Sequence, residues 1–137
     1  MIFVDSNVIM YIVGKDHPHK VDSLRLIERF ASERRRLVTG SEVFQELLHS
    51  YVAIDGRDKI ELAFHTLRSV VDNVFSFREE DIFAAKDLCH AYPQLSSRDA
   101  LHAAVMRRAH VREILSFDQG FDLLPDIART PGAGAEA

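Results

Sequence analysis

Short apolar runs alternate along the chain with longer segments in which apolar residues recur at helical spacing. The first run, within residues 1–5, is continuous rather than alternating, which is typical of a parallel strand buried on both faces. Similar runs predict strands at 37–39, 74–77, 114–117 and 126–129. Helical patterns are predicted between them, at 6–14, 18–35, 42–52, 57–71, 79–91 and 98–109.

The alternation of strands and helices predicts an α/β fold, in which a parallel sheet is covered by helices on both faces. The 137 residues, of which 47% are hydrophobic, fit one domain of ordinary size with a single core. We expect that domain to span residues 1–129. The small residues of 130–137 are expected to form a disordered tail.

The composition bears on the cellular location of the protein and on its binding to nucleic acid. No apolar stretch approaches ~20 residues and the N-terminus lacks the features of a signal peptide, so no association with membranes is expected. Cys89 is the only cysteine, which excludes an internal disulfide and fits a cytoplasmic protein. The net charge of −4 argues against broad, non-specific binding of nucleic acid.

Four acidic residues follow predicted strands or lie on the helices after them: Asp5, Glu46, Asp99 and Asp118. Open α/β sheets bind their ligands beyond the carboxyl ends of the strands, so these carboxylates are expected in one crevice. Gathered carboxylates repel one another unless a cation neutralises them. The pattern therefore predicts a divalent metal, and a metal among carboxylates indicates phosphate chemistry.

Single acids in this set also have ordinary structural interpretations. Asp5 is a plausible cap of the first helix, and Glu46 lies on a helix, where glutamate is common on solvated faces. Glu42, one turn before Glu46, could take its place in the site, as Asp122 could take that of Asp118. The combination of acids, rather than any one of them, carries the prediction.

Four motifs carry a resemblance to a known family. They are Phe3-Val4-Asp5-Ser6-Asn7-Val8, Glu46-Leu47-Leu48, Ser97-Arg98-Asp99-Ala100-Leu101-His102-Ala103-Ala104 and Leu115-Ser116-Phe117-Asp118-Gln119-Gly120-Phe121-Asp122. Through them, from Ile2 to about Ile127, the chain resembles a PIN-domain ribonuclease, and in its compact length a VapC-type toxin of a toxin–antitoxin pair. Ser6 stands where the family commonly has Thr, which keeps the hydroxyl.

The resemblance implies a fold and an activity. The fold would be a three-layer α/β/α PIN-like fold with a central, mostly parallel sheet of four to five strands. Acids like Asp5, Glu46, Asp99 and Asp118 would hold Mg²⁺, or Mn²⁺ as the alternative, and cut single-stranded RNA, with Asp5 and Asp99 as the main ligands. The residues expected to contact the substrate are Ser6, Asn7, Arg98 and Ser116.

The resemblance also implies partners. A cognate VapB-like antitoxin would block the acids, and an arginine from it could pair with the carboxylates. A second copy of the chain would form a homodimer. The apolar helices at 18–30 and 44–54 could supply both surfaces, although core packing explains the same residues. Arg107 and Arg108 are further candidates for a positive path that guides RNA.

Two other functions stay open from the sequence. A phosphatase with a nucleophilic aspartate usually carries a second Asp two residues later, where this chain has Asn7. A PIN-like module that binds RNA or protein without cutting it is the other alternative, and only an activity measurement excludes it. A zinc site from His17 and His19, or from His102 and His110, is not expected, because suitable further ligands are lacking nearby.

Overall fold

The apolar runs form one sheet in which every strand pair is parallel. The computed structural model describes residues 1–132, and its strands are β1 (Ile2–Val4), β2 (Leu37–Gly40), β3 (Asn73–Phe75), β4 (Glu113–Leu115) and β5 (Ala128–Thr130). Their order across the sheet is β3-β2-β1-β4-β5. Phe3 of β1 is paired with Val38 on one side and with Ile114 on the other, so β1 is the central strand.

Helices connect these parallel strands and cover the sheet. Within residues 1–132 they are α1 (Ser6–Val13), α2 (Pro18–Ser32), α3 (Ser41–Ala53), α4 (Ile60–Val70), α5 (Glu79–Ala91) and α6 (Ser97–Arg108), with short 3-10 helices at Arg57–Lys59 and Gln119–Leu123. The three-layer α/β/α fold expected from the sequence is confirmed, with five parallel strands. None of the helices in the described part of the chain is long and apolar enough to cross a membrane.

Some boundaries differ from the predicted ones because local geometry intervenes. Helix α2 ends at Ser32, and Arg34 shortly after it has a left-handed backbone, with φ of 58°, which does not continue a helix. The helix predicted at 57–71 begins as a 3-10 turn, and its α-helical part starts at Ile60. Helix α3 begins at Ser41, one residue before its predicted start at 42.

The end of the sheet also lies slightly later than predicted. Strand β5 begins at Ala128 and includes Thr130, which the sequence pattern had assigned to the tail. The carbonyl of Thr130 accepts a hydrogen bond from the Ser116 amide at 3.0 Å. Residues 133–137 of the predicted tail lie outside the described residues.

Helix α6 is buried on all sides from Asp99 to Met106. The ring of His102 in this helix lies 5.4 Å from that of Phe3, which is fully buried in β1. A helix buried all round lies inside its layer rather than on the surface. Helix α6 therefore brings Asp99 and His102 against the central strand.

The strand order creates a crevice at one edge of the sheet. The chain runs from β1 outwards to β2 and β3 on one side, and returns to β4 and β5 on the other. Connections that diverge from a central strand leave an opening beyond the carboxyl ends of the neighbouring strands. Asp5 follows β1 at this edge, and residues 116–118 follow β4.

A serine cap fixes the first turn of α6. The Ser96 hydroxyl accepts a hydrogen bond from the Asp99 amide at 3.1 Å. Ser96→Ala is expected to reduce the free energy of unfolding by about 1 kcal/mol, the usual value of such a cap. Urea unfolding measures this, with Ser69→Ala, at an exposed position of helix α4, as the control. Equal stability of the two variants would contradict the capping role.

Candidate functional site

The acids predicted from the sequence line one cleft at the carboxyl end of β1. The cleft has a volume of about 190 Å³. Asp5, Glu46 and Asp99 are 4%, 3% and 5% exposed, whereas Asp118 is half-buried. The residues that line the cleft are Asp5, Ser6, Asn7, Met10, Glu46, Ser50, Arg98, Asp99 and Asp118. Three buried carboxylates and one half-buried carboxylate, from four separate segments, are therefore brought together.

Asp5 is both a helix cap and a wall of the cleft. Its Oδ1 accepts the Ser6 amide at 2.8 Å, which caps α1. Its Oδ2 accepts the Ser116 hydroxyl at 2.6 Å and, more weakly, the Asn7 side-chain amide at 3.4 Å. The structural and the functional interpretations of Asp5 are therefore compatible, and the carboxylate is held in one orientation.

Ser116 and Asn7 connect the segment after β1 to the segment after β4. The Asn7 side-chain amide donates to the Ser116 hydroxyl at 3.2 Å, and that hydroxyl also accepts the Asp118 amide at 3.0 Å. The Asn7 oxygen accepts the Phe117 amide at 3.3 Å. Ser116 is fully buried, so it can act on a substrate only through its neighbours.

Glu46 is paired with a histidine that the sequence analysis did not assign to the site. The His102 Nε2–H donates to both Glu46 oxygens, at 2.7 and 3.0 Å, and lies 3.9 Å from Asp5 Oδ1. Its side chain is 1% exposed. Its position three residues after Asp99, on the same helix face, was the one sequence signal that could have indicated it.

The structure shows which acid of each alternative pair lines the cleft. Glu46 lines the cleft, whereas Glu42 lines a neighbouring apolar cavity with Ile82 and Leu101. Asp118 lines the cleft, whereas the Asp122 carboxylate accepts hydrogen bonds from the Arg129 guanidinium at 3.0 and 2.9 Å. Of the two pairs, Glu46 and Asp118 therefore line the cleft, and Glu42 and Asp122 do not.

Asp99 and Asp118 face each other closely. Burial raises the pKa of the Asp99 carboxyl to about 8, and its hydrogen bond to Asp118 together with the charges of Asp118 and Asp5 adds to the rise. The Asp118 Oδ1 accepts the Gly120 amide at 2.9 Å. The two carboxylates thus lie close together, and Asp99 keeps a proton near neutral pH.

The pKa values of Asp5 and His102 are also raised. Burial raises the pKa of the Asp5 carboxyl, and the charge of Glu46 raises it further, against the opposing effects of His102 and Ser116. Burial alone would lower the pKa of the His102 imidazole. The hydrogen bond to Glu46 and the charges of Asp5, Glu46 and Asp99 outweigh burial and raise it.

Few cations face the cleft. Arg98 lies exposed at its rim and makes no ion pair with any residue of the described chain. Arg107 is instead held by Asp126, with a hydrogen bond of 2.7 Å, and Arg108 by Asp81, with one of 2.9 Å. The two arginines suggested as a path for RNA are thus occupied by ion pairs away from the cleft.

The side chains in the cleft fit a divalent cation. Ligand atoms of Asp5, Glu46 and His102 lie within 4.8 Å of one another. Carboxylate oxygens are the ligands that Mg²⁺ and Mn²⁺ prefer, whereas the His102 Nε2–H is used in its hydrogen bonds to Glu46. In addition to burial, the charges of Asp118 and Asp5 raise the pKa of the Asp99 carboxyl, so the carboxylates of the cleft repel one another. A bound cation would offset this repulsion.

Comparison with known proteins agrees with this architecture. A family model of the PIN domain matches residues 2–127. Over 129 residues, the chain is 49% identical to ribonuclease VapC13 of Mycobacterium tuberculosis, an alignment that covers 94% of this chain and 98% of that one.

Solved structures show the same fold. The toxin VapC20 of Mycobacterium tuberculosis, described as cleaving the sarcin–ricin loop, superposes with a TM-score of 0.76 at 22% identity, covering 91% of this chain and 95% of that one. VapBC2 of Rickettsia felis, bound to a DNA fragment from its promoter, superposes with a TM-score of 0.73 at 16% identity, covering 94% and 97%. The chain therefore belongs to the PIN domain family, as a VapC-type member.

Proposed function

We propose that this chain is a metal-dependent endoribonuclease toxin that hydrolyses phosphodiester bonds of RNA. The observation that carries the proposal is the meeting of Asp5, Glu46, Asp99 and Asp118 in one cleft beyond β1. The relation to ribonuclease VapC13 over nearly the whole chain supports RNA as the substrate.

The acids divide into two groups in this proposal. Asp5 and Asp99 are the main ligands of a Mg²⁺ or Mn²⁺ ion, and Glu46 and Asp118 bind it directly or through water. When bound, such an ion lowers the pKa of a water molecule and neutralises charge that builds up on a phosphate. The carboxylates not used as ligands can orient the attacking water.

The neighbouring side chains set the position of these acids. Ser116 and Asn7 hold the Asp5 carboxylate through their hydrogen bonds of 2.6 and 3.4 Å. His102 holds Glu46. Ser6 and the exposed Arg98 at the rim are our candidates for contacts with the phosphate, because a hydroxyl and a guanidinium both donate hydrogen bonds to phosphate oxygens.

The proposal includes a VapB-like antitoxin and a homodimer. Solved relatives of the same fold are VapBC assemblies. Two helices predicted as partner surfaces carry exposed apolar side chains, with Val21 and Leu24 on α2 and Leu48 and Val52 on α3. An antitoxin arginine reaching the cleft would pair with the carboxylates and compete with the metal.

A glycine close to the acids offers a test of their spacing. A Cβ at Gly120 would lie 2.8 Å from Asp99 Oδ2 and 3.1 Å from Asp118 Oδ1, which is too close. Gly120→Ala is therefore expected to displace these carboxylates and lower RNA cleavage by about 10- to 100-fold, as for disturbed supports of metal ligands. Gly132→Ala, whose Cβ would have its nearest neighbour at 3.9 Å, is the control. Equal cleavage by both variants would contradict this placement.

The proposed activity is tested by incubating the purified chain with structured and unstructured RNAs in Mg²⁺, in Mn²⁺ and in chelator. Cleavage with either metal and none in chelator supports it. A folded protein that cuts no RNA, including total cellular RNA, would favour a PIN-like module that only binds.

A further inference from the structure

A cluster of rings continues directly from the acidic cleft. We define the aromatic cluster as Tyr11, His17, His19 and Phe117. Tyr11 lies one turn after Asn7 on α1, so both face the same side of that helix. Phe117 lies between Ser116 and Asp118, and its amide is bonded to Asn7. The cluster therefore borders the place where a phosphate would be cut.

The rings of the cluster are packed against one another. Phe117 stacks on His19, with centroids 4.1 Å apart and an interplanar angle of 16°. Tyr11 stacks on His17 at 4.8 Å and 30°, and meets Phe117 edge-on at 5.4 Å. Aromatic pairs at such distances stabilise each other beyond their buried area. The rings thus form one preorganised surface rather than independent side chains.

Packing alone does not account for the composition of this surface. His17 is exposed, and Tyr11, His19 and Phe117 are only partly buried. The His19 Nδ1 atom is buried without a hydrogen-bond partner among the described residues, and it lies 3.8 Å from the Asp22 carboxylate. A buried polar atom without a partner costs stability, which an apolar residue at 19 would avoid.

The segment that carries the two histidines also offers donors and positive charge. Lys15 is exposed, and Lys20 is partly exposed with its ammonium bonded to the Gly14 carbonyl at 2.9 Å. The His17 Nδ1 accepts the His19 amide at 3.0 Å, so the proton of the neutral ring lies on Nε2 and can be donated outwards. This segment can therefore donate hydrogen bonds to a phosphate backbone, although the exposed Asp16 between Lys15 and His17 offsets part of its positive charge.

We propose that the aromatic cluster stacks an unpaired nucleobase of single-stranded RNA beside the acidic cleft. Single-stranded RNA is recognised largely by stacking of its bases on Tyr, Phe and His rings, while basic groups follow its backbone. The site of cleavage is then set by two neighbouring features, the metal-binding acids and the base bound at the cluster. This inference rests on the proposed ribonuclease function.

The test replaces a ring without removing a helix cap. His17 caps α2, and Asn caps a helix as well as other polar residues do. His17→Asn therefore removes the outer ring and keeps the cap. His65→Asn, at an exposed position of α4, is the matched control. Tyr11→Leu serves as a second variant, and circular dichroism confirms that each protein is folded.

The probes are single-stranded 12-mer RNAs that carry 2-aminopurine or an abasic site at successive positions. Binding is followed in chelator by 2-aminopurine fluorescence, and cutting is followed separately with Mn²⁺. We expect quenching by the wild type at one position, and affinity about 5- to 100-fold weaker for His17→Asn than for His65→Asn, since base stacking has this effect. An abasic site at that position should weaken RNA binding by the wild type and leave RNA binding by His17→Asn unchanged.

Two results would overturn the inference: no quenching at any position, or the same affinity and abasic sensitivity in His17→Asn and His65→Asn. The binding measurement needs no cutting. Quenching without Mn²⁺-dependent cleavage would keep the aromatic cluster as an RNA-binding surface and refute the proposed nuclease instead.

Discussion

Replacing Asp5 with Asn is expected to abolish RNA cleavage and to leave the fold intact. Asn keeps the helix cap that the Asp5 carboxylate provides to α1, but it removes the charge that would bind the metal. Mutating the residues that hold a metal ligand in place typically lowers activity by about 10- to 100-fold. Loss of the ligand itself should therefore lower the cleavage rate by at least about 100-fold. Initial rates on one RNA substrate at saturating Mn²⁺ measure the effect.

The control for this change is Asp87→Asn. This variant also loses a carboxylate, but the Asp87 side chain is 75% exposed on α5, away from the cleft. Both variants should unfold in urea at concentrations near that of the wild type. Cleavage by Asp5→Asn at the rate of Asp87→Asn would show that Asp5 has no part in the reaction.

The metal-free protein is expected to lose stability as the pH rises from about 5 to about 8, and Asp99→Asn should remove much of this loss. The Asp99 pKa of about 8 in the fold lies above the ordinary value of 3.8. Between these values the folded state holds a proton that the unfolded state has released, so rising pH favours unfolding. The slope from this group is at most about 1.4 kcal/mol per pH unit.

Urea unfolding of both proteins at several pH values, in chelator, measures this difference. Asp5 and His102 also titrate, so the relevant quantity is the stability of the wild type relative to Asp99→Asn. Above about pH 8 the relative stability should become constant. Saturating Mn²⁺ at pH 8 should increase the stability of the wild type more than that of the variant, because the cation replaces the lost proton. A relative stability independent of pH would contradict the shifted pKa.

Much of the fold could be predicted because its signals are local. The continuous apolar run of β1 is buried on both faces, and α6 begins at Ser97, one residue before its predicted start. Asp5, Asp99 and Asp118 could be predicted to lie at one edge of the sheet, because each follows a predicted strand or lies in the first turn of a predicted helix.

Contacts between distant residues could not be predicted in the same way. The pairing of His102 with Glu46 joins residues 56 positions apart, and it depends on how α3 and α6 are rotated about their axes. The ion pairs of Arg107 and Arg108 depend likewise on side chains from other elements. The 3-10 helix at Gln119–Leu123 places Gly120 beside two carboxylates. A short sequence pattern does not predict this close contact.

The most direct test of the central claim identifies the ends of the RNA products. A short single-stranded RNA is cut in H₂¹⁸O with Mn²⁺ or with chelator, and the products are weighed by mass spectrometry. Hydrolysis adds the water oxygen to phosphorus and returns a proton to the leaving oxygen, so we expect one ¹⁸O in a linear phosphate, and no products in chelator. A 2′,3′-cyclic phosphate as the final product, or cutting in chelator, would contradict metal-dependent hydrolysis at these acids.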